Sequence, residues 1–219
     1  MSEQLPVLVT DAPASHPIHL VVTDDLDRSR LTVFFRLLLV IPHFVWLFIW
    51  GIAVWFAVFA AWLVGIFTGR VPDGLHDFIA SYLRYLTHVY AYYAIAANPY
   101  PAFNGAPGYP IDVEIAPPTQ QSRLTIFFRL LLVIPASIVL SLLGYVAYVV
   151  IFLAWLYALF AGKLHAGLRD VLAYWLRYNA QTIGYVCLLT QRYPTFADDA
   201  PGEARADDRQ AAALAWIQA

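Results

Sequence analysis

Long apolar segments alternate along the chain with shorter stretches in which polar residues recur at regular spacing. The first apolar segment covers 33–67 and contains only Arg36 and His43 as strongly polar positions. This length is well above the roughly 20 residues that a helix needs to cross the hydrocarbon core of a bilayer. The pattern therefore predicts an all-α integral membrane protein.

Two short segments differ from the helical pattern. Residues 111–115 alternate apolar and acidic side chains with a period of two, as a half-buried strand does, and 18–22 repeat the alternation less cleanly. A lone strand cannot satisfy its main-chain polar groups in lipid. We therefore expect both strands outside the bilayer, where they could pair with each other.

Each strand is followed by an amphipathic segment. In 29–41, Ser29, Thr32 and Arg36 share one helical face, which predicts a helix at the membrane interface with Arg36 reaching the lipid headgroups. Arg129 has the same position in a second copy of this segment, so the same interfacial role is expected. Pro42 then favours a kink or a break.

The segments after Pro42 decide how often the chain crosses the membrane. Residues 43–67 form an apolar run of about 25 residues, which as a helix of roughly 37 Å can span with tilt. Residues 75–97 are also long enough, but one of their helical faces is polar. They span if this face lies inside a bundle and lie on the surface if it faces water. We favour spanning for 75–97 and for the equivalent 168–189, since 89–97 is almost wholly apolar or aromatic.

The chain is an internal duplication. Residues 16–103 align with 109–196 without a gap, residue i matching residue i + 93, with about 34 identities. The matched anchors are Ser-Arg-Leu at 29–31 and 122–124, the run ending in Ile-Pro at 34–42 and 127–135, Gly69 with Gly162, and Tyr-Pro-x-Phe at 100–103 and 193–196. We predict tandem helical hairpins with about four spans, the two hairpins being parallel and related by a pseudo-twofold axis along the membrane normal.

Both units resemble the family known as domain of unknown function 4389, whose pattern joins these anchors to Gly-Arg-x-Pro-x-Gly-Leu-x-Asp-Phe. The first unit carries that loop intact at 69–78, whereas the second departs from it at Lys163, His165 and Val171. The resemblance covers about four fifths of the chain. It implies a bacterial or archaeal membrane protein and supplies no catalytic residues.

Three segments lie outside the units. Residues 1–15 form a polar N-terminal tail, 104–108 form a Gly- and Pro-containing linker, and 197–219 form an acidic tail that we predict to be disordered. Lys and Arg near the predicted span ends are more numerous on the side of the tails and linker than on the side of the turns. This bias predicts a plasma-membrane protein with both termini in the cytoplasm.

Charge and cysteine content narrow the function classes. The net charge of −2 and the scattered Arg residues provide no basic stripe for nucleic acid. The single cysteine, Cys187, excludes an intramolecular disulfide. His43, His76 and His88 have no histidine counterparts in the second unit and lack metal-ligand spacing, so we expect no metal and no other cofactor.

The candidate site is a polar seam between the hairpins. An uncompensated charge at mid-bilayer costs about 2.5 to 3.5 kcal/mol, so ionisable residues predicted inside the membrane are candidates for a functional role. The seam comprises Arg84, Arg177, Asp77, Asp170 and His88. The two arginines could contact anions or lipid headgroups there. The favoured alternative makes them internal clamps that point into the bundle, with the two aspartates complementing the dipoles of their helices.

We find no catalytic constellation in the sequence, so an enzyme is not expected. The sequence favours a non-catalytic membrane scaffold or accessory subunit whose partners are the bilayer and other membrane subunits or further copies of itself. The alternative is a small transporter, channel or lipid-handling protein that uses the arginine seam.

Overall fold

A computed structural model describes residues 16–196, and in it each unit begins with a strand that is followed by helices. The first unit contains strand β1 (Ile18–Val22) and helices α1 (Arg30–Thr68) and α2 (Asp73–Tyr93). The second contains strand β2 (Ile111–Ile115) and helices α3 (Arg123–Phe127), α4 (Arg129–Leu132), α5 (Ile134–Ala161) and α6 (Ala166–Val186). The predictions for 1–15 and 197–219 lie outside the described residues.

The two units differ at their matched prolines. Of the kink or break expected at Pro42, the break does not occur, because Pro42 lies inside the continuous 39-residue helix α1. In the second unit the same stretch divides into α3, α4 and α5, and Pro135 lies in the first turn of α5. A proline costs little there because its missing N–H has no intrahelical acceptor to lose.

Matched glycines end the long helices. Gly69 follows α1 with φ of 74° and Gly162 follows α5 with φ of 71°, the left-handed conformation that terminates many helices. Each glycine N–H donates to the carbonyl four residues earlier, Gly65 or Ala158. Both chains can therefore turn at once into the second helix of their unit.

Strands β1 and β2 pair with each other in an antiparallel two-stranded sheet, as the alternating pattern allowed. Leu20 lies opposite Val113, its own counterpart in the duplication. Because the strand pairing is centred on a residue and its own counterpart, exchanging the two units leaves the set of paired positions unchanged. A pseudo-twofold axis therefore passes between these two residues.

The first helices of the two units run antiparallel to each other. The Trp155 indole N–H donates to the carbonyl of Val33 at 3.2 Å, and the Trp62 indole N–H donates to Ile126 at 3.2 Å. The start of each helical stretch thus lies beside the end of the other. The prediction of parallel hairpins is wrong, because the pseudo-twofold axis runs perpendicular to the long helices.

The second helices, α2 and α6, pack against each other and lie between the long helices and the sheet. Each strand packs on the second helix of the other unit, β1 on α6 and β2 on α2. Gly184 makes this possible in α6, since a Cβ there would lie 2.2 Å from Cδ1 of Ile18. The exchange of strands ties the two units into one core.

The outer surfaces of the long helices remain apolar and uncovered. Within 16–196, two stretches are long and apolar enough to cross a membrane, Arg30–Thr68 and Arg129–Ala161. Only 22% and 17% of their most apolar windows are buried, unlike the central helix of a soluble core. Helices α2 and α6 do not meet this test, so two candidate spans stand where the sequence predicted four.

Candidate functional site

The last turn of α2 is held by two buried arginines. Ile95 has φ of 63°, which turns the chain out of the helix and leaves carbonyl groups without intrahelical donors. Nη1 of Arg36 donates to the carbonyls of Tyr92 at 3.0 Å and Ala97 at 2.9 Å. Arg28 donates to Ile95 through Nε at 2.9 Å and to Ala96 through Nη2 at 2.7 Å. We call Arg28 and Arg36 the first clamp.

The second unit has the same arrangement at the end of α6. Nη1 of Arg129 donates to the carbonyls of Tyr185 and Thr190, and its Nη2 donates to Oε1 of Gln121 at 2.6 Å. Gln121 connects Arg129 to the turn after α6, since its Nε2 donates to the carbonyl of Leu188 at 2.8 Å. Gln121 and Arg129, the counterparts of Arg28 and Arg36, are the second clamp.

The clamps overturn the interfacial role expected for Arg36 and Arg129. Their exposed fractions are 1% and 2%, and each guanidinium lies over a tyrosine ring, Tyr92 at 4.3 Å and Tyr185 at 4.4 Å. A cation at the C-terminus of a helix is favoured by the helix dipole as well as by the free carbonyls. The amphipathic face on which these arginines lie therefore points into the protein and not toward headgroups.

Two members of the predicted seam, Arg84 and His88, meet at Asp112 of β2. Nε2 of His88 lies 2.8 Å from Oδ1 of Asp112, and Nε of Arg84 lies 3.6 Å from the same oxygen. Nε of Arg84 also donates to the carbonyl of Val113 at 3.4 Å. Arg84 thus contacts the strand of the other unit.

Asp112 is held ionised by its surroundings. Burial by itself raises the pKa of Asp112, but hydrogen bonds from His88 and from the N–H groups of Gly108 and Val113 together bring the pKa below its ordinary value. Site reasoning from the sequence missed Asp112. The available signal was a carboxylate within a strand that must bury one face.

Arg177 occupies a different setting from Arg84. It is buried, its guanidinium lies 5.1 Å from the ring of Tyr174, and its Nη2 donates to the carbonyl of Phe196 at 3.3 Å. The units diverge here because the counterparts of Asp112 and His88 are His19 and Gln181. The structure therefore does not join the two arginines in one symmetric seam.

The aspartates of the predicted seam point away from it. The side chain of Asp77 is 79% exposed and lies 3.6 Å from Nδ1 of His76. Asp170 pairs with its neighbour Arg169 at 2.7 Å on a half-exposed surface. Both are in the first two turns of their helices, where a carboxylate complements the positive end of the dipole.

Comparison with known proteins gives one result. A family model described as "Domain of unknown function (DUF4389)" matches residues 30–104 and, a second time, 123–198. No curated protein and no solved structure matches the chain.

Proposed function

The chain belongs to the family described as domain of unknown function 4389, and on that premise we propose that it is a non-catalytic membrane scaffold or accessory subunit. In this proposal α1 and α5 lie within the bilayer, and the two-stranded sheet faces the cytoplasm. The partners are lipid and other membrane subunits or further copies of the chain.

The observation that carries the proposal is the uncovered apolar surface of the long helices. Large side chains with more than two thirds of their area exposed include Phe48, Phe67, Leu130 and Phe160. A contiguous apolar surface of this kind is rare on soluble monomers and marks contact with lipid or protein. The opposite surface, around His19 and Glu114, is polar.

The length of α1 favours an orientation along the membrane plane. Its exposed apolar side chains extend from Leu31 to Phe67, about 54 Å of helix, whereas the hydrocarbon core is about 30 Å thick. An upright helix would leave apolar side chains in water at its ends. Lying flat in one leaflet, the same surface stays in contact with lipid along its whole length.

The position of the sheet supports the same orientation. It packs beside Arg84 in the middle of α2, and α2 packs along the middle of α1, where Tyr82 approaches Gly51 and Tyr85 contacts His43. With α1 upright, a sheet with two unpaired edges would lie at mid-bilayer depth. Open edges are not tolerated in hydrocarbon, so we propose that the protein enters one leaflet only.

Buried charge in this protein serves the fold. The guanidinium groups of both clamps are bonded to main-chain carbonyls, and Arg28 also pairs with Asp24 at 2.7 Å. Such contacts stabilise a fixed arrangement of helices, which suits a scaffold.

Lipid handling is the alternative that one observation favours. A groove of about 510 Å³ separates α1 from α5 and is lined by Phe44, Tyr90, Tyr93, Tyr148 and Asn179. It faces the proposed lipid phase and offers hydroxyl and amide groups beside aromatic rings. A lipid with a polar group on a long apolar chain would suit this lining.

Cysteine labelling tests the orientation. In a Cys187→Ser background, single cysteines at Asp73 and Glu114 should both react with a membrane-impermeant maleimide from the cytoplasmic side of vesicles. A cysteine at Phe48 should stay protected until detergent is added. Reaction of Asp73 and Glu114 from opposite sides would contradict the proposal and restore the four-span arrangement.

Purification in mild detergent separates scaffold from lipid handling. A stoichiometric complex with another membrane subunit, or a defined oligomer, supports the scaffold. An isolated monomer that moves labelled lipid between vesicles, and loses that activity on Asn179→Leu, supports the alternative instead.

A further inference from the structure

The groove between α1 and α5 has a counterpart across the pseudo-twofold axis. We call the groove between α1 and α5 the polar groove and its counterpart, a groove of about 490 Å³, the apolar groove. Six of the seven residues that line the apolar groove match residues that line the polar groove, 93 positions later in the chain. These six are Leu47, Phe48, Gly51, Ile52, Trp55 and Tyr82.

The two grooves differ in polarity. Ser141 lines the polar groove where the apolar groove has Phe48, and Asn179 lies on the floor of the polar groove where the first unit has Leu86. No charged side chain lines the polar groove. The duplication therefore contains one groove whose lining is polar but uncharged and one whose lining is mostly apolar.

The floor of the polar groove is also more open. A Cβ at Gly51 would lie 3.1 Å from the hydroxyl of Tyr82, whereas a Cβ at Gly144 would meet no atom within 4 Å. Trp175, the counterpart of Tyr82, stacks instead on the ring of Tyr90, with 6.0 Å between the ring centroids. The space that Tyr82 occupies in the apolar groove thus remains free in the polar groove.

Four polar side chains of this lining have no partner. Within 16–196, no hydrogen bond involves the hydroxyls of Tyr90, Tyr93 and Tyr148 or the amide of Asn179, and all four side chains keep exposed surface. In the proposed orientation the groove opens toward lipid, which offers these groups no water. A polar group without a partner is costly there, so a ligand that bonds these groups is favoured.

We propose that the polar groove binds an uncharged lipid through hydroxyl or carbonyl groups at its polar end, while the apolar chain of the lipid lies along the long helices. Tyrosine hydroxyls and an asparagine amide both donate and accept hydrogen bonds, so they match such groups. The lining offers no cation to a phosphate. Its volume of about 510 Å³ is that of an ordinary ligand pocket.

This inference rests on the proposed placement of α1 and α5 in the bilayer, and it names the class of lipid. It applies equally to a scaffold that holds a bound lipid and to a protein that moves one. Failure of the membrane placement is measured separately, by maleimide reaction of a cysteine at Phe48 without detergent.

The test uses the full chain in phosphatidylcholine nanodiscs and a dioctanoylglycerol that carries a diazirine on one acyl chain. Ultraviolet light attaches the probe to its neighbours, and mass spectrometry measures the ratio of labelling in the polar groove to labelling in the apolar groove. The apolar groove controls for simple partitioning of the probe into lipid. A phosphatidic acid with the same chains is the charged control, and unlabelled dioctanoylglycerol and decylubiquinone are the competitors.

We expect labelling of the polar groove to saturate and to fall when either competitor is in excess. Asn179→Leu, which installs the residue of the first unit, and Gly144→Leu, which fills the open floor, should each lower the labelling ratio about tenfold. Phe48→Ser in the apolar groove is the matched control and should leave labelling of the polar groove unchanged. Circular dichroism verifies that each variant is folded.

Stronger competition by dioctanoylglycerol identifies a hydroxyl-bearing glycerolipid, and stronger competition by decylubiquinone identifies a carbonyl-bearing ring. Equal labelling of both grooves, or labelling that excess unlabelled lipid does not reduce, would overturn the proposal. Equally strong labelling by the phosphatidic acid probe would do the same, as would wild-type labelling of folded Gly144→Leu and Asn179→Leu.

Discussion

The two clamps perform one structural task with different chemistry. At the end of α2, two guanidinium groups bond the free carbonyls, and Asp24 compensates Arg28. At the end of α6, a neutral amide from Gln121 replaces Arg28, and Pro117 stands in place of Asp24. Each clamp therefore keeps a single guanidinium without a carboxylate partner among the described residues, Arg36 or Arg129.

This difference indicates which property the fold requires. The backbone geometry is preserved, since Ile95 and Leu188 both have positive φ and both turns present carbonyls to the long helix. The Arg28–Asp24 ion pair is dispensable when both of its charges are absent together, as they are in the second clamp. Donors to the carbonyls, and not ion pairs as such, hold the second helix of each unit.

The largest expected effect comes from removing the common member of the clamps. Arg36→Met and Arg129→Met should each destabilise the protein by about 3 to 5 kcal/mol, because several buried carbonyls lose their donor at once. Equilibrium unfolding in detergent measures the change. Arg123→Met on the exposed start of α3 is the control and should be near neutral. Unequal losses from Arg36 and Arg129 would show that the clamps are not equivalent.

The second prediction converts the first clamp into the second. Asp24→Asn alone should cost about 3 kcal/mol, because Arg28 is left buried without its counter-charge. Adding Arg28→Gln should recover most of that loss. A double-mutant cycle on the same unfolding assay gives the coupling. Additive losses would contradict the view that the pair can be exchanged for one amide.

The third prediction concerns Asp112 and its two partners on α2, Arg84 and His88. Asp112→Asn should lower stability by about 2 kcal/mol at neutral pH, since hydrogen bonds to a charged acceptor are lost. The pKa of Asp112 is lowered in the folded protein, so its contribution is present above the ordinary value and is lost as pH falls through the folded value. Unfolding free energies of the wild type and the variant should therefore converge in acid. His19→Ala at the counterpart position is the matched control and should change stability little at neutral pH, because its ion pair with Glu114 is exposed.

The smallest effect is expected for the paired indole contacts. Trp62→Phe and Trp155→Phe should each cost about 1 kcal/mol, because each loses one hydrogen bond across the units while keeping an aromatic ring. Trp55→Phe is the matched control on the exposed face of α1. A marked difference between the stability losses of Trp62→Phe and Trp155→Phe would show that the two indole contacts are not equivalent.

Local sequence patterns predicted much of this fold. The duplication, the bounds of both strands and the family are borne out. All of these depend on short-range spacing or on direct comparison of residues. They need no knowledge of how the units face each other.

The wrong predictions concern features that depend on packing between residues far apart in sequence. Arg36 lies in an apolar run, and only the turn after α2 reveals that its acceptors are internal. The antiparallel relation of α1 and α5 follows from contacts between residues such as Val33 and Trp155, far apart in sequence. Asp112 lies in the strand that the sequence predicts, but its role in the cluster was missed because its partner His88 belongs to the other unit.

The pairing of Leu20 with Val113 carries a consequence for the history of the chain. A strand that pairs with its own copy in a self-complementary register needs no second sequence to complete the sheet. A single unit would hold both halves of every contact across the axis, as in an isologous homodimer. The present chain thus has the form of a fused dimer whose halves have diverged: the first unit has His88 where the second has Gln181, and the second has Asp112 where the first has His19.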